Sequence, residues 1–296
     1  MKKILYGILK KMKFLPTEFY LKIYFEYYTG KKLNLENPVE FNEKIQWLKA
    51  FYRPEILSQL VDKYAVREFV EERVGSKYLN TLYEVYYRVP DVDFDKLPEK
   101  FVIKGAHGYN FNLLVPDKSE MNRLRARYLM RKWMSKNQYY RGGLEWAYKN
   151  VRPKIIAEEF LVEEGKPSIS DFKYFFFNDE PKFIQVDLDR SEHHVRSYVD
   201  MNWEPLEFET IGIRKHKGPI EIPKNHEEMT EVATKLAQGF PFVRVDLYNL
   251  QGRIIFGELT FYPTDGRMEF YPDRFNEIIG NYLELPEIPP GQKYIS

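Results

Sequence analysis

Apolar residues recur every three or four positions in the first quarter of the chain and every second position through most of the remainder. This pattern predicts a helical start followed by a sheet-forming body. Phe19, Ile23, Tyr24, Tyr27 and Tyr28 fall at helical spacing, and FNEKIQWLKAF is a second amphipathic run after the connector NLENPVEF. VDKYAVREFVEERVG places Val61, Ala65, Phe69 and Val70 on one face, with Lys63 at its head and Gly75 ending it. Short strands then replace helices. Phe101 to Lys104 and Leu113 to Val115 flank a loop from Gly105 to Asn112, Ser119 to about Asn150 reads as helix, and KIIAEEFL is a buried strand. SDFKYFFFNDEPKFIQVDLDR predicts a hairpin turning at Asn178 to Pro181, and HHVRSYVDMNWEPLEFE a further strand pair bending near Asp200 to Asn202. PKNHEEMTEVATKLAQGF reads as a helix capped by Asn225, with Glu228 completing a capping box. The divisions expected are a helical segment over 1–60, a lobe over 61–155 and a second lobe over 156–296.

The chemistry concentrates in RVDLYNLQGRIIFGELTFYP. Val243, Val245 and Leu247 alternate with Arg244, Asp246 and Tyr248, while Ile255, Gly257 and Leu259 alternate with Phe256, Glu258 and Thr260. A three-residue loop of Leu250, Gln251 and Gly252 pairs Asn249 with Arg253 and sets Arg244 opposite Glu258. Asp246 is then a diagonal neighbour of Glu258, roughly 7–8 Å away, a span that carboxylates close around Mg²⁺. The plainer reading is a surface hairpin whose Arg244–Glu258 pair contributes roughly 0–1 kcal/mol.

Composition narrows the function. With 45 Lys and Arg against 44 Asp and Glu, the charge of +1 gives no basic excess for nucleic acid. Cysteine is absent, which excludes disulfides, thiolate catalysis and thiolate zinc sites and fits the cytoplasm. Residues 1–14 carry Lys2, Lys3, Lys10, Lys11 and Lys13 and no acid, with Ile4, Leu5, Ile8 and Leu9 at helical spacing. Such a helix either rests on an anionic membrane surface or docks on the body with its lysines in water. The 17% aromatic content suits a sugar-handling surface, although core packing explains most of it.

A lysine ending a strand before a glycine loop, as Lys104 precedes Gly105 and Gly108, sets a cation and backbone N–H groups against phosphate and allows the loop to act as a lid. His107 in that loop is expected to be exposed or to touch phosphate. The arginine-rich run from Arg123 to Lys132 reads as a solvated face.

In order, NPVEFNEKIQWLK, DKYAVREFV, FVIKGAHGYNFN, IIAEEFL, DFKYFFFND, FPFVRVDLYN and FGELTFYP resemble the TupA-like branch of the ATP-grasp superfamily, over roughly residues 35 to 275. The resemblance implies an α+β fold in which two lobes with mainly antiparallel sheets hold ATP between them, after an N-terminal helical segment. It implies ATP and Mg²⁺ as cofactors. Lys63 and Lys104 match the phosphate-contacting lysines, and Gly105, His107, Gly108 and Asn110 the mobile loop. Glu158 and Glu159 match the hinge acids for adenine and ribose, and Lys173 completes the cofactor set. Asp246 and Glu258 match the Mg²⁺ carboxylates and Arg244 the arginine beside the phosphates. Arg244 and Lys104 are the expected catalytic residues. Thr260 stands where many members place a further metal-binding asparagine.

The implied activity is that of a carboxylate–amine ligase forming an amide through an acyl-phosphate. Its implied partners are an acidic surface-polysaccharide precursor and an amino acid or amine. Arg190, His193, Arg196 and Arg267 are the candidates for gripping a substrate carboxylate. Two rival functions are a sugar-nucleotide glycosyltransferase using Asp187-x-Asp189, and a non-catalytic glycan-binding module on the same fold.

Overall fold

The computed structural model describes residues 2–162, 169–189 and 193–296. The chain opens with α1 (Lys2–Leu9), α2 (Thr17–Thr29), α3 (Phe41–Phe51), α4 (Ile56–Leu60) and α5 (Val66–Val74), the last closed by Gly75. At α3, Glu40 and Glu43 exchange the hydrogen bonds of a capping box, which fixes where the helix begins.

Two sheets follow. The smaller takes β1 (Leu82–Tyr86), β2 (Phe101–Gly105), β3 (Asn112–Val115) and β4 (Ile155–Glu159), ordered β1-β4-β2-β3 and antiparallel throughout. Its core, built on Phe94, Phe101, Ile103 and Ala157, is closed by Ala126, Met130 and Trp133 of α6 (Arg123–Met134). The helix expected over the whole of 119–150 stops at α6. Asn137 then caps a single turn, α7 (Gln138–Arg141), and Leu144 takes a positive φ of 59°.

The larger sheet takes β5 (Asp171–Phe177), β6 (Glu180–Leu188), β7 (Val195–Val199), β9 (Arg214–Lys215), β10 (Phe242–Leu250) and β11 (Arg253–Thr260) in the order β11-β10-β5-β6-β7-β9. Helix α8 (His226–Ala237) buries Met229, Val232, Ala233 and Leu236 against one face, and Phe41 of α3 meets Phe177 and Phe242 on the other. Covered on both sides, β5 has every residue buried.

Several expectations need correction. The boundary at 155/156 cuts β4, which belongs to the smaller sheet, while Val66, Phe69 and Val70 of α5 join the larger core. The reversal expected near Asp200 to Asn202 is present but short: the Asp200 N–H donates to the Glu204 carbonyl oxygen, the Leu206 N–H to the Tyr198 carbonyl oxygen, and Val199 bridges Pro205. Beyond it β8 (Glu209–Thr210) pairs with β12 (Phe270–Tyr271), just before the closing α9 (Phe275–Gly280). Asn225 precedes α8 without a capping bond, because its side chain reaches Gly252 and Asn249 and Glu228 turns to Tyr78 and Lys77.

The β10–β11 hairpin departs from its expected register twice. Its loop is Gln251–Gly252 alone, with φ of 50° and 98°, the doubly left-handed geometry of a type I′ turn. That turn by itself would set Asp246 opposite Gly257 and send Glu258 to the far face. A bulge after Leu247↔Phe256 absorbs Gly257, so Asp246 faces Glu258 and Arg244 faces Thr260. The two departures together amount to two residues, and all four side chains stay on one face.

Gly257 permits this because a Cβ there would lie 3.0 Å from the Asp246 carbonyl oxygen. Gly257→Val should lower stability by about 1–3 kcal/mol, read as a lower urea midpoint at unchanged slope.

Candidate active site

A row of alternating charges crosses the face of the larger sheet that carries Arg244 and Asp246. From the edge inward it runs Glu258 (β11), Arg244 and Asp246 (β10), Lys173 (β5), Asp187 (β6) and Arg196 (β7). The Arg244 Nε donates to Asp246 Oδ1 at 2.6 Å and its Nη2 to Oδ2 at 2.7 Å, a bidentate pair. The same Nη2 lies 3.4 Å from Glu258 and donates to the Thr260 hydroxyl at 3.0 Å, which in turn donates to Glu258. Lys173 is buried among Asp171, Asp187 at 3.5 Å and Asp246 at 3.4 Å.

Burial pushes the Asp246 carboxyl upward against the opposing pull of Arg244 and Lys173. Burial would raise Glu258 too, but Lys63, Arg244, Lys173 and the Thr260 hydroxyl outweigh it and hold its pKa at about 2. Burial would lower Arg244, yet Asp246 and Glu258 keep its pKa raised. Glu258 is therefore an anion at neutral pH at the open end of the row.

The smaller sheet and the segment around α5 present further charges to this end. Lys63 Nζ lies 3.7 Å from Glu258 and 3.2 Å from the Gly108 carbonyl oxygen. Lys104 Nζ donates to Glu158 Oε2 at 2.7 Å, and Arg67 lies 3.6 Å from the same carboxylate. Together these four residues, with Tyr248, Phe256 and Gly257, line a crevice of 30 Å³ between the sheets. Glu159, next in β4, instead binds Thr81 and Arg253, tying the smaller sheet to the hairpin. Arg67 was missed in the sequence, although it follows Lys63 by four residues.

On the other side of Glu258 lies a pocket of 310 Å³. Arg244, Glu258 and Thr260 form its floor, Tyr109, Glu145 and Tyr148 one wall, and Tyr262, Asp265 and Arg267 the other. Lys49 of α3 holds Asp265 at 2.5 Å, and Gln46 donates to the Asp265 and Gly266 carbonyl oxygens. The backbone must approach closely here, since a Cβ on Gly143 would come within 2.5 Å of Asp265. Glu145 and Asp265 had no signal in the sequence, because 120 residues separate them.

Other candidates are placed elsewhere. Gly105 and Gly108 are buried against Phe111, where a Cβ would clash at 2.9 and 2.8 Å, so both glycines serve packing, and the Gly105 N–H donates to the Phe111 carbonyl oxygen. His107 is 1% exposed, with its Nε2 2.9 Å from the Trp133 carbonyl oxygen, and faces neither solvent nor phosphate. Of Gly105, His107, Gly108 and Asn110, Asn110 alone is exposed, at a φ of 60°. Lys173 is a buried counter-charge and does not line the cleft, and the Thr260 hydroxyl holds Glu258 in place.

Arg196 is bound to Asp187 at 2.6 Å and His193 is exposed ahead of β7, and neither lines the pocket. Arg190 lies outside the described residues. Asp187 is taken up by Arg196, Lys173, His194 and Gln185, which leaves no metal-binding pair with Asp189. Of the three substrate candidates among the described residues, Arg267 alone lines the pocket.

A cleft between two mainly antiparallel sheets, with lysines on one side and an Asp–Glu hairpin pair on the other, defines an ATP-grasp protein. The model of the TupA-like ATP-grasp family matches residues 43–284, and the chain belongs to that family. No curated protein matches. Among solved structures, D-alanine–D-alanine ligase from Bacillus anthracis is 16% identical over 70% of this chain and 59% of its own, with a TM-score of 0.43. The ATP-grasp ligase PsnB with its minimal precursor is 12% identical over 81% of this chain and 67% of its own, with a TM-score of 0.42. N5-carboxyaminoimidazole synthase from Aspergillus clavatus is 10% identical over 69% and 44%, with a TM-score of 0.38. The chain thus spans about three fifths of the length of the first of these.

Removing one partner of a buried charge cluster strands the others. Lys173→Met should therefore cost about 3–5 kcal/mol in urea unfolding, whereas Lys104→Met, at a partly open pair, should cost about 1 kcal/mol or less.

Proposed function

We propose that the protein is a Mg²⁺- and ATP-dependent carboxylate–amine ligase. The observation that carries this reading is Glu258, an anion set between a crevice lined with Lys63, Arg67 and Lys104 and a pocket of 310 Å³. One side suits a triphosphate and the other the groups to be joined.

In the first step a substrate carboxylate oxygen attacks the γ-phosphorus of ATP, the bond to the β-phosphate oxygen breaks, and ADP leaves. In the second, an amine nitrogen attacks the acyl carbon, phosphate departs, and the nitrogen gives up a proton. Neither step needs a nucleophilic side chain, so positioning and charge neutralisation supply the catalysis. Lys63 and Lys104 neutralise phosphate oxygens, Arg244 steadies the phosphate being transferred, and Glu158 orients Lys104.

Among the described residues no group of three acidic or histidine side chains converges as a metal cage. That fits Mg²⁺, which one or two carboxylates hold together with phosphate oxygens and water. Glu258 and Asp246 are the residues that would hold it, Glu258 through its open side and Asp246 by loosening Arg244. The ion supplies charge neutralisation at the phosphates.

At 30 Å³ the crevice holds only about two water molecules. Nucleotide entry therefore requires the smaller sheet to swing away from the hairpin.

The finer reading names an acidic surface-polysaccharide precursor and an amino acid or amine as substrates, joined in the cytoplasm, and rests on the family resemblance. A membrane-peripheral position accords with it. Leu5, Ile8 and Phe14 are 53%, 58% and 80% exposed beside the N-terminal lysines, and no helix among the described residues is long and apolar enough to cross a membrane.

Two measurements test these readings. Mg-ATP at 100 times its Kd should stabilise the fold by about 2.7 kcal/mol, seen as a rise in Tm that Asp246→Asn and Lys104→Ala abolish. A Tm unmoved by Mg-ATP but raised by a UDP-sugar would overturn the ligase reading. For the membrane, Ile8→Glu with Phe14→Ser should reduce co-sedimentation with phosphatidylglycerol vesicles, and equal sedimentation would refute the contact.

A further inference from the structure

The pocket beyond Glu258 contains two buried atoms of opposite character with no hydrogen-bond partner, Oε2 of Glu145 and Nε of Arg267. Glu145 is only 2% exposed, and a buried carboxylate oxygen left unpaired is costly. Asp265 Oδ2 also accepts no hydrogen bond, although it lies 3.3 Å from Arg267 Nη2. Burial, and then the Asp265 carboxylate, push the Glu145 carboxyl well above its ordinary range against the pull of Lys49 and Arg267. A carboxyl so placed accommodates a cation it does not yet have.

The walls point the same way. Tyr109, Tyr148 and Tyr262 line the pocket, and aromatic walls attract an ammonium group. The Arg267 guanidinium lies over the Tyr28 ring, 4.3 Å from its centroid, and a guanidinium steadied in this way receives a carboxylate.

We propose that this pocket binds a small zwitterion, an α-amino acid or similar compound with one ammonium and one carboxylate, its ammonium on Glu145 and its carboxylate on Arg267. This rests on the ligase reading, in which the zwitterion is the amine partner. Selectivity for it then comes from the N-terminal helices. Lys49 and Gln46 of α3 fix the turn that carries Asp265 and Arg267, and Tyr28 of α2 supports the guanidinium.

The test is calorimetric titration of the full chain, saturated with Mg-ADP, with the standard L- and D-amino acids. Each is paired with its N-acetyl form and with ethanolamine, which lacks the carboxylate. At least one free amino acid should bind, with its acetylated form and ethanolamine at least about tenfold weaker. Glu145→Gln should weaken that amino acid by a similar factor while the Tm rise with Mg-ATP is kept. Comparison with the acetylated form needs no variant, so it decides the question even if Glu145→Gln fails to fold. Binding of no amino acid, or equal binding of the acetylated form or ethanolamine, overturns the proposal. If Mg-ATP itself leaves the Tm unmoved, the ligase reading fails instead.

Discussion

The constraint on which the structure depends is the burial of alternating charges across the larger sheet. In the series Glu258, Arg244, Asp246, Lys173, Asp187, Arg196 every ion after Glu258 is taken largely out of water, and each is tolerable only because a neighbour of opposite sign lies beside it on the same or the next strand. Such a row fixes the order and register of strands, because sliding β10 by one residue would turn Arg244 and Asp246 toward the apolar side under α8. The row ends where it meets the cleft. There the compensation is incomplete, and Glu258 is left with Lys63 at 3.7 Å as a partner contributed by the other side.

That incompleteness links stability to function. Within the sheet Asp246 is paired with Arg244 and Lys173, but at the rim Glu258 remains partly open to water. Its low pKa keeps it charged over the physiological range, which suits a group that handles cations and phosphates. The smaller sheet and α5 meet it with a second, looser set of charges in which Lys104 and Arg67 share Glu158. Contacts between the smaller sheet and the rest of the molecule, Arg67–Glu158 and Arg253–Glu159 among them, would part if the cleft opened.

The helices at the start of the chain shape the far pocket. Lys49 is fully buried on Asp265, whose backbone has a φ of 59°, next to Thr264 at 50°. Two successive non-glycine residues in the left-handed region are strained, and the bonds from Lys49 and Gln46 stabilise the turn against that strain. The pocket is therefore a joint product of α3, the Gly142–Tyr148 segment and the turn after β11, three segments far apart in sequence.

The strand pattern of RVDLYNLQGRIIFGELTFYP made the shared face of Arg244, Asp246, Glu258 and Thr260 legible, because side chains alternate with a period of two and chemistry follows parity. The register was not legible. A two-residue turn and a bulge at Gly257 each shift it by one, and whether the chain bulges depends on packing against Asp246 and Tyr248. The inward turn of His107 was hidden for the same kind of reason, since only the fold brings Phe111 and Trp133 around that loop. The sequence by itself determined most of the order of elements, the family and, Arg67 apart, the charged residues of the crevice between the sheets, because periodicity and local motifs are properties of short segments. Tertiary structure alone decided which of those charges are buried counter-ions and which line the cleft, and it alone assembled Glu145, Asp265 and Arg267 into a pocket. Burial and pairing are set by neighbours more than 100 residues away along the chain, and no local pattern encodes those contacts.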